Sequence, residues 1–423
     1  MRRVTLAGAA IIGALLLAIP SAFARTDVTA AEPGITAGKI VIGGTFPLSG
    51  QASSYGPIGV GMKTYFSYIN ARRGPDGKRG IFGRQIDFKV YDDGFLPVNA
   101  VQLTRKLVED DKVFAVVGSV RTEVNQAVRP YLNDRGVPHV LVSSGASEFG
   151  RRALAKQYPW TIGWQPDYIA EARLYGLDII KNHPDAKIAV LYQNDDYGKD
   201  YLYGLKIALG KARADRMIVG EQAYDLLGGS TPAAQLVRLK ASGANTLVIL
   251  VTPTPAVQSF AIIKQLGWQP SQIYLNSVAA AQGPMTSAVQ AAGAATVNGT
   301  ISAAYLKDPA SPTWANDATV KQFKALMAKY NPRGNPLDGF TFYGFAKADT
   351  FVRAMYKAGK NPTRASLMRA ILSFNEVSPF LLPGSRLKTS ATDRYPISHQ
   401  QVERFNNGGW TLLGQLVDSR PRG

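Results

Sequence analysis

The chain has 423 residues, 46% of them apolar, and 48 basic against 30 acidic residues give a net charge of +18. That length suits two or three domains, and the apolar content is enough for a sizeable core. The absence of cysteine excludes disulfides, thiolate metal sites and a cysteine nucleophile.

The first element is a leader. Arg2-Arg3 precede an apolar run from Ala7 to Ile19, and Ser21-Ala22-Phe23-Ala24 ends in an Ala-x-Ala cut site. These are the three parts of a secretory signal peptide. A membrane anchor needs about 20 apolar residues, and no later run reaches that length. Cleavage after Ala24 removes Arg2 and Arg3, leaving +16 on a mature chain with no lipid site at the cut. The expected location is the periplasm, without membrane insertion. Lysine and arginine are scattered, with no basic run longer than a pair, so a nucleic-acid stripe is not expected.

From Lys39 onward strand and helix patterns alternate. Ile40-Val41-Ile42 reads as a strand, then Met62, Phe66 and Ile69 recur at helical spacing. Ile86, Phe88 and Val90 form a strand, and Ala100, Leu103 and Leu107 mark a helix that Pro97 opens. Phe114 to Val117 is a buried strand, Val124, Val128 and Leu132 stripe a helix, and Val140-Leu141-Val142 is the next strand. This rhythm predicts a parallel sheet covered on both faces. It resumes with strands at Ile188–Leu191, Leu247–Leu250 and Ile273–Leu275, and helices carrying Leu202, Leu205, Leu209, Ile262 and Ile263. The aromatic stretch Tyr158 to Trp164 reads as a crossover between two lobes. Helices through Phe323 and Phe345 follow, and they are expected to cover the first lobe. Gln401–Phe405 and Trp410–Val417 read as strands joined by an Asn406-Asn407-Gly408-Gly409 turn. No repeat of solenoid length is visible.

In doubly wound sheets ligands bind beyond the carboxyl ends of the strands. Val117-Gly118-Ser119 ends a strand where a helix begins, and helix N-termini favour anions. There Thr122 can add a hydroxyl and Arg121 a bidentate clamp on a carboxylate. On that junction alone, a plain N-cap with a solvated Arg121 is the simpler reading. The next strand end, Ser143-Ser144-Gly145-Ala146-Ser147, adds more donors. Two such ends make a polar grip with no metal ligand and no base.

Gly44-Thr45-Phe46-Pro47-Leu48-Ser49-Gly50, Tyr91-Asp92-Asp93, the Gly118-Ser119 junction, Ser143 to Ser147 and Asn194-Asp195-Asp196-Tyr197-Gly198 occur in an order that resembles the periplasmic leucine/isoleucine/valine-binding proteins. These are the solute-binding subunits of ABC importers. The resemblance runs from about Ile40 to Val417. It implies a type I periplasmic binding fold: two doubly wound α/β lobes joined by a three-strand hinge, closing on a ligand. It implies approximate lobes of 36–159 with 303–375, and 160–302 with 376–423. It also implies that Tyr55 follows the first-strand loop, that Thr122, Gly145, Ala146 and Ser147 hold the ligand carboxylate, and that Tyr197 faces them from the other lobe. Branched-chain binders carry a glutamate after the strand matched by Ile273-Tyr274-Leu275; here Asn276-Ser277-Val278-Ala279 stands there. A buried ammonium without a countercharge is costly, so an apolar or aromatic acid is expected slightly ahead of a branched-chain amino acid. Tyr55, Trp160, Trp164, Tyr197 and Tyr305 are the aromatic candidates for such a body. Trp160 and Trp164 are equally well read as packing.

An exported enzyme would need a base, nucleophile or metal cluster. The three histidines, His139, His183 and His399, lack metal spacing, and Asp92-Asp93 and Asp195-Asp196 read as capping pairs whose side chains diverge. A dinucleotide site is discarded because the Gly43–Gly50 stretch lacks the required glycine spacing. A ligand sensor reporting to a receptor would use the same fold. The expectation is a monomer without cofactor or metal, a small carboxylate ligand and an importer permease as partner. Thr122, Ser147 and, from the other lobe, Tyr197 and the Asn276 loop are expected to close on the ligand.

Overall fold

The computed structural model describes residues 32–228 and 231–419. The expected signal peptide lies outside these residues. Five parallel strands form a first sheet: β1 (Lys39–Phe46), β2 (Gln85–Asp92), β3 (Ala115–Val117), β4 (His139–Val142) and β5 (Thr161–Gly163), in the order β2-β1-β3-β4-β5. β3 and β4 are wholly buried, which is why they read as unbroken apolar runs.

A second sheet has the parallel strands β6 (Ile188–Gln193), β7 (Ile218–Tyr224), β8 (Thr246–Leu250), β9 (Gln272–Leu275) and β10 (Ile301–Ala304), in the order β7-β6-β8-β9-β10. β11 (Asn375–Glu376) and β12 (Leu387–Lys388) make a small separate pair. β13 (His399–Asn406) then adds to β10 antiparallel, and β14 (Gly409–Leu412) and β15 (Val417–Asp418) both pair with β13. The parallel parts of both sheets wind alike, a topological repeat that sequence comparison within the chain did not reveal. Strand order reverses between β1 and β3, and again between β6 and β8. Such switch points are where open α/β sheets bind ligands.

Four elements differ from expectation. Tyr158 to Trp164 is not all crossover, since β5 pairs with β4 inside it. Trp410 to Val417 is two strands, because Gly414 takes a left-handed φ of 63° between them. β7 and β10 carried no clear period. The hairpin turn is as read: Asn407 and Gly408 hold φ of 51° and 79°, the mirror-image turn that matches strand twist.

The 20-residue helix Gly339–Ala358 is buried along most of its length and crosses the helix Pro57–Ala71. Small residues make this crossing close. A Cβ on Gly61 would come 2.3 Å from the Thr341 oxygen, and one on Gly344 would come 2.3 Å from the Ile58 oxygen. Tyr65 and Phe66 flank the seam, edge-on to Phe345 and Phe351 at 5.5 and 6.0 Å. This helix therefore packs on the first-sheet side, and its packing fixes Tyr343 and Lys347 behind the strand ends.

Candidate functional site

Between the carboxyl ends of the two sheets lies a cavity of about 160 Å³, room for on the order of ten water molecules. Eight aromatic side chains line it, among them Tyr55, Tyr168, Tyr197, Tyr305 and Tyr343. Both switch points reach it, through Val120–Thr122 on one side and Gln193 and Thr252 on the other. Hydrogen bonds link first-sheet elements to second-sheet elements around it. Tyr55 OH donates to the Val278 oxygen at 3.3 Å and Thr254 Oγ1 to the Gln51 oxygen at 2.8 Å. Gln126 donates to Asp196 at 2.7 Å, and the Ser147 backbone N–H donates to Asp200 at 2.7 Å.

Of the residues picked from sequence, Tyr55, Arg121, Thr122, Tyr197 and Tyr305 line the cavity. Gly145, Ala146, Ser147 and Asn276 do not. Gly145 is packed against Tyr168 and Pro166, where a Cβ would come 2.3 Å from the Pro166 oxygen. The Ala146 N–H is taken by Ser144 Oγ at 3.1 Å. Ser147 gives its N–H and its hydroxyl to the Asp200 carboxylate. The fourth-strand end is thus filled by a carboxylate of the chain itself. Asn276 is fully buried and holds Tyr197 in place, accepting from its hydroxyl at 2.9 Å.

Arg121 is neither solvated nor a free clamp. It is 8% exposed and lies 4.6 Å over the Phe95 ring. Its Nε donates to Glu123 at 2.7 Å and Nη1 to the Phe95 oxygen. Its positive φ of 92° swings the chain into the first turn of the helix Thr122–Asp134. Thr122 Oγ1 lies 2.8 Å from Ser144 Oγ. The polar wall at this corner of the cavity is therefore narrower than the sequence implied: the first turn of this helix, Thr122 and Ser143.

Trp160 and Trp164 are packing residues. The Trp164 ring N–H donates to Thr350 at 3.0 Å within the core. His139 is buried and bonded to Asn125 at 2.8 Å, and burial lowers its pKa to about 3, keeping it neutral. Asp92 caps the Leu48, Ser49 and Gly94 amides, and Asp195 caps the helix Asp196–Leu209 through Gly198. Asp195 also faces Glu123 across the cavity rim, and burial and that neighbour push its pKa up to about 7. Among the described residues no cluster of His, Cys, Asp or Glu is placed to hold a metal ion.

The acids missed from sequence change the chemistry. Glu403 on β13 and Asp308 after β10 both line the cavity. Glu403 is 8% exposed and makes no side-chain hydrogen bond or ion pair with any described residue. Burial, then the fields of Asp308 and Glu171, holds its pKa well above the usual carboxyl range. Glu171 behind them is satisfied, accepting from the Ser277 N–H, the Ser277 hydroxyl and Tyr175 at 2.6–2.7 Å. A signal for Glu403 existed: it shares the inward phase of its strand with Phe405.

The profile of a known family, described as periplasmic binding protein, matches residues 39–408. The chain is similar to the Leu/Ile/Val-binding protein homolog 3 of Brucella melitensis, 25% identical over 78% of this chain and 83% of that one. Its fold is similar to that of a branched-chain amino acid ABC transporter structure from Thermus thermophilus with bound valine (TM-score 0.75, 16% identity, 90% of this chain and 97% of that one). It is similar also to that of a fatty acid ABC transporter substrate-binding protein from Thermomonospora curvata (TM-score 0.74, 18% identity, 92% and 94%). No helix of the described residues is long and apolar enough to cross a membrane. With the family match covering most of the chain and a fold similar to that of the solved structures, the chain belongs to the periplasmic binding protein family, as a solute-binding protein rather than an enzyme.

Proposed function

We propose that this chain is the exported solute-binding subunit of an ABC importer, and that it traps a small amino acid with an apolar or aromatic side chain between its lobes. One observation carries the choice of ligand: Glu403, a buried carboxyl with no partner among the described residues, faces an aromatic cavity. An ammonium group supplies the missing countercharge, and the surrounding rings favour it further. The glutamate absent after β9 is thereby replaced from β13, which reverses the sequence-based preference for an acid without an amine. Thr122 and Ser143 then take the ligand carboxylate at the opposite wall. Sheet membership supports lobes close to those expected, with the first crossover moved past Gly163.

The test is thermal melting of the mature chain with L-leucine, L-phenylalanine, 4-methylpentanoate and phenylacetate. A ligand at a hundredfold excess over its Kd stabilises by about 2.7 kcal/mol, so the amino acids are expected to raise the melting temperature by a few degrees. The deaminated acids are expected to raise it less. Equal shifts for acid and amino acid would remove Glu403 from the recognition scheme.

A further inference from the structure

Lys347 on the helix Gly339–Ala358 is fully buried, directly behind the cavity wall. Its Nζ donates to Ser143 Oγ and, at 3.1 Å, to Tyr343 OH. It lies 5.3 Å over the Trp164 ring and 4.4 Å over the Tyr343 ring. The elements packed on it bring Met62, Gly118, Ser143, Trp164 and Tyr343. None of these is charged, and only Tyr343 titrates. No carboxylate among the described residues pairs with Lys347. A buried ammonium without a countercharge is expensive, so burial alone drives this lysine toward its neutral form. A neutral amine has two N–H groups, and both are used.

Both of its acceptors, Ser143 and Tyr343, line the cavity. Ser143 sits beside the helix turn that opens on the cavity: its backbone oxygen accepts from the Arg121 backbone N–H at 3.3 Å, and the next residue, Ser144, touches Thr122. One hydroxyl, which donates to the Gly118 oxygen at 2.7 Å and would have to turn its proton toward an arriving carboxylate, therefore separates the amine from the corner where a carboxylate would dock. We propose that Lys347 is the hidden counter-charge for the ligand's carboxylate, acting through Ser143, and that it takes up a proton when that carboxylate arrives. The inference rests on the amino-acid reading above. Protons balance within the site: Glu403 releases one as the ammonium docks beside it, and the Lys347 amine gains one to become an ammonium. The ligand enters and leaves as the zwitterion, with no bond made or broken in it.

The test is calorimetric titration in two buffers of different ionisation enthalpy, which counts protons exchanged per ligand bound. L-leucine is compared with L-leucinol, which has the amine and side chain without the carboxylate. In the native chain the two counts are expected to differ by about one proton. In Lys347→Met, an apolar side chain of similar length, that difference vanishes. The same variant should bind L-leucine about tenfold or more weaker while L-leucinol stays within about twofold. Equal proton counts for both ligands in the native chain would overturn the proposal. So would equal losses of both ligands in the variant, since a purely structural lysine predicts that. If neither ligand binds the native chain, the amino-acid reading itself fails and takes this one with it. The native comparison needs no variant, so a poorly folding Lys347→Met does not block the test.

Discussion

Glu403→Gln is expected to weaken L-leucine binding by about 30-fold or more and to leave 4-methylpentanoate nearly unchanged. Removing one partner of a buried, hydrogen-bonded charge pair typically costs about 2–5 kcal/mol, and each 1.4 kcal/mol is about tenfold in Kd. The site meets the conditions for a cost of that size. Glu403 is held by the β10–β13 ladder, opposite Ser302, and two cavity-lining alanines, Ala303 and Ala304, lie beside it on β10. Glutamine keeps the shape and loses the charge. The free protein should gain from the change, because a buried carboxyl without a partner among the described residues is a burden in an aromatic cavity. Its melting temperature without ligand is therefore expected to stay level or rise. Calorimetry with both ligands and a melt of the free variant check this. A variant that binds leucine like the native chain would mean that the ammonium docks elsewhere.

Gly344→Val should have the largest effect on stability. The new Cβ would come 2.3 Å from the Ile58 oxygen and 3.0 Å from the Met62 nitrogen, both backbone atoms that cannot turn aside. The helices Pro57–Ala71 and Gly339–Ala358 must then separate, opening the contacts of Phe345 and Phe351. Overpacking of a well-packed core commonly costs about 1–3 kcal/mol, and a backbone clash this close belongs at or above the top of that range. Ligand binding should fall as well, because Gly344 lies between Tyr343, which forms part of the cavity wall, and Lys347, buried behind it. Gly283→Ala is the control: no atom lies within 4 Å of a Cβ there, and its melting temperature should hold. A denaturant midpoint for Gly344→Val equal to native would show that the helices can part freely.

Much of the architecture was legible because parallel strands buried on both faces are continuous apolar runs. β3, β4, β6, β8 and β9 all read that way. β7 did not, because it lies at the sheet edge with mostly half-exposed residues and takes a mixed sequence. The site was legible in part for a similar reason. Thr122 and Arg121 follow a strand end directly, so local order places them. Ser147 misled because its partner, Asp200, comes from a helix more than fifty residues on, and no local pattern reveals that the donors are already taken. Glu403 comes from the far end of the chain, and only its phase with Phe405 marks it as inward. Lys347 sits in a helix covered on nearly all sides, where no amphipathic stripe distinguishes a buried cation from a solvated one.

The most direct measurement is a crystal structure of the mature chain grown with L-leucine. The ligand's ammonium is expected about 3 Å from the Glu403 carboxylate, its side chain among the tyrosine rings, and its carboxylate at Thr122 and Ser143. Density with the carboxylate turned toward Glu403 and Asp308, or a ligand bound outside this cavity, would contradict the account.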